Sequence, residues 1–168
     1  MEHSNPVRTP IAGDNPFELF ANWFAEAEKT EINDPNAMSL ATVADNGVPS
    51  VRIVLLKGFD VRGFCFFTNT LSRKGRQLQK NNVAALCFHW KGSRRQVRIE
   101  GTVERVSELE ADEYFNSRPR GSRIGAWASL QSTHLETRSV LENRVKKIEE
   151  EYKGAPVPRP PHWSGLYF

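Results

Sequence analysis

The stretch AMSLATVADNGVPSVRIVLLKGF, residues 37–59, decides the fold class because two apolar segments flank a tight turn. Asp45, Asn46 and Gly47 form the turn, and Asn-Gly between apolar segments is the strongest short signal for a β-hairpin. We therefore predict one strand before the turn and one long strand after it. An antiparallel sheet begins at this point of the chain.

The segments that follow continue this hairpin as a meander. GFCFFTN (63–69), VAALCFHW (83–90) and RRQVRIEGTVERV (94–106) predict three further strands, and SRKGRQLQKN (72–81) predicts a short helix. The last strand alternates polar and apolar residues, which is the period of a half-buried strand.

Helical patterns flank the strands. Asn15 is the expected cap of a first helix with Pro16 at its first position, and Ser107 with Glu110 forms the capping box of another. A further helix is expected over residues 139–152, and PVPRPPHW predicts an extended segment. Antiparallel strands without βαβ alternation predict a mainly β protein with helices, an α+β class built on a small barrel.

Length and composition limit the class of protein to which the chain can belong. At 168 residues and 39% hydrophobic content, the chain suits a single domain, which we place at residues 15–168 after a flexible segment at 1–14. A net charge of +3 does not argue for nucleic acid. Cys65 and Cys87 lie in apolar stretches, which favours buried thiols in a reducing compartment. No apolar run has membrane-spanning length, so we expect a cytoplasmic protein without a membrane partner.

Common catalytic and nucleotide motifs are absent from the sequence. It contains no GxxxxGK[ST] loop, no GxGxxG after a strand and no GxSxG elbow. The four histidines are scattered without metal-ligand spacing, so we expect no metal site. No catalytic residue is assigned from the sequence.

The basic run SRKGRQ is a candidate anion site. Ser72 is suited to cap a helix whose first turn carries Arg73 and Lys74, and free N–H groups at a helix start favour a phosphate. A solvated helix face is the alternative, and it is the commoner explanation for an isolated basic run.

Charged residues on an apolar strand favour the anion site over the solvated helix face. VRIVLLK carries Arg52 and Lys57, and a charge there is costly unless it is paired or ligated. Their spacing of five residues puts them on opposite faces of a regular strand. They line one cavity only if a bulge intervenes or a second subunit closes the site.

A third basic cluster follows the Ser107 helix. Pro119 is expected to end that helix and to leave Arg118, Arg120 and Arg123 in a loop, where guanidinium groups suit a phosphate or a carboxylate. Three basic clusters exceed what one monophosphate needs. Two phosphate-bearing ligands, a cofactor and a substrate, fit them better.

RIVLLK, FFTNTLSRKGRQL, RRQVRIEG, EYFNSRPRGSRIGAWASLQS and PRPPHWSG occur here in a fixed order. Together they closely resemble the pyridoxamine 5′-phosphate oxidase family, flavin-dependent enzymes of vitamin B6 metabolism. The resemblance covers residues 15–165, and the combination is highly specific although no single motif is. It implies an FMN-binding split β-barrel of antiparallel Greek-key type and a homodimer with FMN at the subunit interface.

The resemblance also implies a role for particular residues. Arg73 and Lys74 are expected at the FMN phosphate. The full set implied to contact FMN is Arg52, Ile53, Val54, Leu55, Leu56, Lys57, Phe67, Thr68, Arg73, Lys74, Gln96, Gln131 and Ser132. The set implied to bind the phosphate of the B6 vitamer is Lys57, Tyr114, Arg118 and Ser122.

The sequence departs from the family pattern after HWSG. The family continues with about two strands that carry a Trp and an Arg-x-His-x-x-Arg motif, whereas here Leu166, Tyr167 and Phe168 follow. Either the sequence is incomplete or altered, or it belongs to a variant with weakened or changed activity. The expectation is therefore FMN binding with reduced oxidase activity.

The implied reaction oxidises pyridoxamine or pyridoxine 5′-phosphate to pyridoxal 5′-phosphate and reduces dioxygen to hydrogen peroxide. One alternative is a flavin reductase, or an oxidase of another substrate, on the same barrel. The other is a module that binds FMN, pyridoxal phosphate or nucleic acid without turnover. Nucleic acid is disfavoured because Phe64, Phe66 and Phe67 are expected in the core rather than exposed for stacking.

Overall fold

The computed structural model describes residues 15–168, so the flexible segment expected at 1–14 lies outside the described residues. The helices are α1 (Pro16–Thr30), α2 (Arg73–Lys80), α3 (Glu108–Ser117), α4 (Arg120–Ala128) and α5 (Arg138–Glu151). The strands are β1 (Ala37–Val43), β2 (Pro49–Leu55), β3 (Gly58–Asp60), β4 (Gly63–Asn69), β5 (Val83–Trp90), β6 (Arg95–Thr102), β7 (Glu104–Arg105) and β8 (Trp163–Tyr167). None of the helices among these residues is long and apolar enough to cross a membrane.

Two antiparallel sheets of four strands form the barrel. One has the order β2-β1-β5-β6 and the other has the order β3-β4-β8-β7. The predicted hairpin is confirmed, because β1 and β2 pair in antiparallel register from Ala37 opposite Leu55 to Val43 opposite Pro49. Gly47 takes a φ of 79° in the turn, a left-handed conformation that glycine adopts without strain. The two antiparallel sheets, together with the five helices of the described residues, confirm the α+β class.

The two longest predicted strands are each divided between the sheets. The strand expected after the Asn-Gly turn ends at Leu55, and the chain continues as β3 in the second sheet. The strand expected over residues 94–106 divides in the same way at Val103. Leu56 and Val103 are both buried at these crossings, so the strand pattern of the sequence continues through each of them without marking the change of sheet.

An aromatic cluster between the sheets supplies much of the core. Phe20 of α1 packs edge-on against Phe64 of β4 at 4.8 Å and against Phe88 of β5 at 5.2 Å. Phe64 and Phe88 belong to different sheets, so α1 covers the seam where the sheets meet. Fully burying such a side chain contributes about 1.5–3 kcal/mol.

Two elements were not predicted from the sequence. Strand β8 lies between β4 and β7, although only an extended segment was expected before it. Helix α4 is the other, and the prediction that Arg118, Arg120 and Arg123 lie in a loop was wrong. Arg118 is the C-cap of α3, and Pro119 is the N-cap of α4, which contains Arg120 and Arg123. Proline ends one helix and begins the next because its fixed φ suits a helix start.

Candidate functional site

The beginning of α2 is held tightly against the end of β4. Ser72 is fully buried, and its hydroxyl accepts a hydrogen bond of 3.3 Å from the backbone N–H of Gly75. A Cβ atom at Gly75 would lie 2.2 Å from the carbonyl oxygen of Thr70. Glycine is therefore required for this close approach, which fixes where the first turn of α2 points.

Lys74 is a buried cation without a buried anion. Its side chain is 8% exposed, and Nζ donates to Thr68 Oγ1 at 3.0 Å and to Gln131 Oε1 at 2.9 Å. Both acceptors are neutral, and no carboxylate lies within ion-pair distance of Lys74 in the described part of the chain. Burial, together with the charge of Arg52, lowers the pKa of Lys74 to about 8. A phosphate fits such a position because it supplies the missing negative charge.

Arg52 supports α2 from the other side. Its guanidinium donates to Thr42 Oγ1 at 2.6 Å and to Ser50 Oγ at 2.9 Å. Gln77 of α2 accepts from both of these hydroxyls, at 2.6 Å and 3.0 Å. Burial, and next the charge of Arg73, lowers the pKa of Arg52. Positive charge therefore accumulates around the start of α2.

Arg52 is not among the described residues that line the cleft of Lys57. Lys57 lies beyond the end of β2, in the link to β3, so strand alternation does not fix its direction. It lines a cleft of about 470 Å³, a size suited to a cofactor or a drug-sized ligand. The cleft is lined by Ile53, Val54, Leu55, Lys57, Phe67, Thr68, Asn69, Lys74, Arg118, Ser122, Gly125, Ala126, Ser129, Gln131 and Trp163.

Two stacked aromatic rings, Phe67 and Trp163, line part of this cleft. The Phe67 ring stacks against Trp163 with a centroid distance of 5.1 Å and against Tyr114, outside the cleft lining, with a distance of 4.0 Å. The guanidinium carbon of Arg118 lies 4.8 Å from the centroid of the Trp163 ring. Burial lowers the pKa of Arg118, and its Nη1 atom is buried without a hydrogen-bond partner. Arg118 therefore has a donor free for an anionic ligand.

A larger cleft elsewhere on the molecule does not suit an anion. It measures about 640 Å³ and is lined by Arg120 and Lys153, but also by the carboxylates of Glu149 and Glu150. Arg120 already donates to the carbonyl oxygens of Ala155 and Tyr152. The guanidinium group of Arg120 is therefore already hydrogen-bonded within the protein.

The cleft brings together most of the residues singled out in the sequence. Ten of them line it: Ile53, Val54, Leu55, Lys57, Phe67, Thr68, Lys74, Arg118, Ser122 and Gln131. The others do not line it: Arg52, Leu56, Arg73, Gln96, Tyr114 and Ser132. Leu56 is part of the core, and Gln96 pairs with His89 across the β5–β6 ladder. The binding role of every residue in both groups stays a prediction.

Sequence reasoning missed Trp163 as a lining residue. In the sequence this tryptophan stands out only as part of the motif PRPPHWSG. Gly165, two positions later, offered a signal, because a Cβ atom there would lie 2.6 Å from the Phe67 ring. A glycine within a strand is consistent with a close approach of other groups at that point, here of the aromatic ring of Phe67.

Fold and site together define a class: an antiparallel split barrel with a cationic cleft at a helix start. A model of the pyridoxamine 5′-phosphate oxidase family matches residues 24–152. A pyridoxine/pyridoxamine 5′-phosphate oxidase of Rhizobium meliloti (strain 1021) is 60% identical, over 93% of this chain and 78% of that protein. The enzyme of the same name from Brucella abortus (strain 2308) is 58% identical, over 96% and 80%.

Solved structures agree with this relationship. PhzG from Burkholderia lata 383, in complex with tetrahydrophenazine-1-carboxylic acid, superposes with a TM-score of 0.89 at 29% identity, covering 98% of this chain and 82% of PhzG. An FMN-binding protein of Nostoc punctiforme related to pyridoxamine 5′-phosphate oxidase shares the fold, with a TM-score of 0.69 at 18% identity over 92% and 81%. The chain belongs to the pyridoxamine 5′-phosphate oxidase family.

Proposed function

We propose that the protein is an FMN-dependent oxidase that converts pyridoxamine or pyridoxine 5′-phosphate to pyridoxal 5′-phosphate, with reduction of dioxygen to hydrogen peroxide. The observation that carries this proposal is Lys74, a buried lysine whose ammonium group has only neutral hydrogen-bond partners among the described residues. It lies in a cleft that is also lined by a second cation, Arg118. Family membership and the names of the relatives support the same activity. The free thiols Cys65 and Cys87 make the cytoplasm the compartment that we propose.

The cofactor phosphate is assigned to the start of α2. Lys74 lies in the first turn of this helix, where backbone N–H groups and the helix dipole favour negative charge. Arg73 is exposed beside it and adds a second cation. FMN, when bound, supplies the acceptor for the two electrons that leave the substrate, which dioxygen then removes.

The substrate phosphate is assigned to the other cationic end of the cleft. Arg118 caps the end of α3, and Ser122 lies in the first turn of α4, so both are near the junction of these helices. Lys57 and Ser122 also line the cleft. Holding the phosphate here would orient the ring of the vitamer within the cleft, which is how the chain contributes to the rate.

A second copy of the chain is part of the proposal. Val51 and Ile53 of the edge strand β2 are 68% and 62% exposed, which leaves an apolar strip beside the cleft. A homodimer that covers this strip would complete the site and is compatible with the position of Gln96 outside the cleft of its own chain.

Spectroscopy on the purified protein tests the proposal. A protein that takes up FMN should be yellow, and pyridoxine 5′-phosphate added without oxygen should bleach it. Readmitting oxygen should restore the colour and release hydrogen peroxide in proportion to pyridoxal 5′-phosphate. A protein that cannot take up FMN would refute the cofactor assignment. A yellow protein that no B6 vitamer bleaches would point instead to an oxidase of another substrate on the same fold.

A further inference from the structure

Arg159 joins three parts of the chain through one guanidinium group. It lies in the link between α5 and β8, residues 152–162, which we call the strap. The Arg159 side chain is only 11% exposed, and Nε donates to Asp112 Oδ1 at 2.6 Å. Nη2 pairs with Glu108, and Nη1 donates to the carbonyl oxygen of Trp163 at 2.8 Å. The strap is thereby tied to α3 and to the first residue of β8.

The groups that Arg159 joins are the two supports of Arg118. Helix α3, which carries Glu108 and Asp112, ends at Arg118 as its C-cap. Trp163 supplies the ring over which the Arg118 guanidinium lies, at 4.8 Å. Arg159 therefore fixes both the backbone from which Arg118 projects and the surface against which it rests.

Arg118 needs such support because its own polar contacts are few. Its Nη1 atom is buried without a hydrogen-bond partner, and burial lowers its pKa. Aromatic faces hold a guanidinium by cation–π attraction, which gives less directional control than a carboxylate partner. The nearer of the two rings that the guanidinium contacts is Trp163 at 4.8 Å, with Phe115 of α3 at 5.6 Å, so the Trp163 ring helps to set where the free donor of Arg118 points.

We propose that Arg159 is a positioning residue for the substrate phosphate, acting on Arg118 through α3 and Trp163. This inference rests on the proposed function, since it assumes that the Arg118 end of the cleft binds the phosphate of a B6 vitamer. It concerns only that end. The start of α2, assigned to the cofactor phosphate, has no contact with Arg159 among the hydrogen bonds of the described residues.

The test compares Arg159→Gln with a matched control, Arg62→Gln. Arg62 also ties α3 to the barrel, through Glu110 and the Tyr167 hydroxyl, but it does not contact Trp163. Both variants loosen α3, and only the first removes the hydrogen bond that holds the backbone of Trp163, whose ring lies under Arg118. A third variant, Arg159→Lys, keeps the charge but offers no planar fork, so it should restore part of the function.

The measurements are made on the FMN-loaded proteins. The Kd of pyridoxal 5′-phosphate is obtained by absorbance titration, the Ki of inorganic phosphate by competition, and KM and kcat with pyridoxine 5′-phosphate. For Arg159→Gln we expect Kd, Ki and KM to rise roughly tenfold, which corresponds to weakening one charge-assisted hydrogen bond. The Kd for FMN should stay within about twofold, because Arg159 has no hydrogen bond to the start of α2 among the described residues. The value of kcat should change less than KM, because a saturating substrate still occupies the site.

Several outcomes would overturn the inference. Unchanged Kd and Ki in a folded Arg159→Gln protein would do so, and so would an equal rise in Arg62→Gln. If Arg159→Gln does not fold, Asp112→Asn replaces it, because the amide keeps an oxygen acceptor; a rise of roughly threefold is then expected, and no rise refutes the inference. A wild-type protein without FMN uptake or turnover would instead refute the proposed function itself.

Discussion

Lys74 Nζ donates a hydrogen bond of 2.9 Å to Gln131 Oε1, joining two residues that are 57 positions apart in the sequence. Lys74 belongs to α2, and Gln131 follows α4, so the bond ties the start of α2 to the segment after α4. Neither partner neutralises the other, because the acceptor is an uncharged amide. The free protein therefore keeps a positive charge in a buried place, which a bound phosphate would compensate.

Replacing Lys74 by Met should have opposite effects on stability and on binding. The free protein should unfold at a higher temperature, because a buried charge without a counterion is replaced by an apolar side chain of similar length. The Kd for FMN should rise about 10- to 100-fold, since one charge-assisted hydrogen bond is lost. Thermal unfolding and fluorescence titration with FMN measure the two effects.

Lys80→Met is the control for that variant. Lys80 lies at the other end of α2, is exposed and pairs with Asp45. Its loss should leave the Kd for FMN unchanged. An equal loss of affinity in both variants would mean that only the overall charge of α2 matters, and it would contradict the assignment of the phosphate to Lys74.

The affinity for FMN should decrease as the pH rises above about 8, the pKa of Lys74, which burial and the charge of Arg52 lower. Below this pH the ammonium is charged and attracts the phosphate; above it the amine is neutral. FMN binding should accordingly take up a proton at pH 9. Titrations between pH 7 and pH 9.5 measure the effect, and Lys74→Met should remove this decrease; if the variant keeps it, another group is responsible.

The stability of the free protein should change in the opposite direction. The pKa of Lys74 falls from 10.5 to about 8 on folding, so the unfolded chain binds more protons between these two values. The contribution of this group to the free energy of unfolding therefore increases with pH across that interval. Chemical denaturation of the FMN-free protein at pH 8 and pH 10, compared with Lys74→Met, isolates the contribution of this residue.

Local signals made the barrel hairpin and the start of α2 predictable from the sequence. The Asn-Gly turn fixes the register of β1 and β2 within a few residues, and Ser72 caps α2 by contacts within its own turn. Such features need no knowledge of the rest of the chain. The family motifs extended the prediction to residues that lie far apart in the sequence.

Non-local packing explains what the sequence did not reveal. The end of β2 at Leu55 depends on which sheet the next residues join, and the apolar run through Leu56 continues without a visible break. Trp163 becomes a lining residue only because β8 pairs with β4 and brings its ring to Phe67. Pro119 misled the prediction because the same residue is typical of a loop and of a helix start.

Gly75→Ala should destabilise the protein and weaken FMN binding together. The added Cβ would lie 2.2 Å from the Thr70 carbonyl oxygen, which is backbone and has little freedom to move away. Overpacking of this kind costs about 1–3 kcal/mol. The shift needed to relieve it moves the first turn of α2, and Lys74 with it. Urea denaturation and FMN titration check both effects.

Gly121→Ala provides the comparison for a helical glycine. A Cβ atom at Gly121 of α4 would meet nothing within 4 Å, so the substitution should stabilise the helix by about 0.5–1 kcal/mol. If Gly75→Ala were also neutral or stabilising, the close approach of α2 to Thr70 would not be a requirement of the fold.

Val51→Glu tests whether a second copy covers the exposed strip on β2. Val51 is 68% exposed and lies outside the cleft lining, so the charge should leave the fold of one chain intact. In a dimer that buries this strip, an unpaired carboxylate at the interface costs several kcal/mol and should shift the protein to monomers. Sedimentation velocity measures the mass, and FMN affinity should fall with it if the partner completes the site.

Val61→Glu is the control, because Val61 is 88% exposed in the turn between β3 and β4, away from the β2 strip. Dimers that persist in Val51→Glu at the same concentration would place the subunit contact on another face.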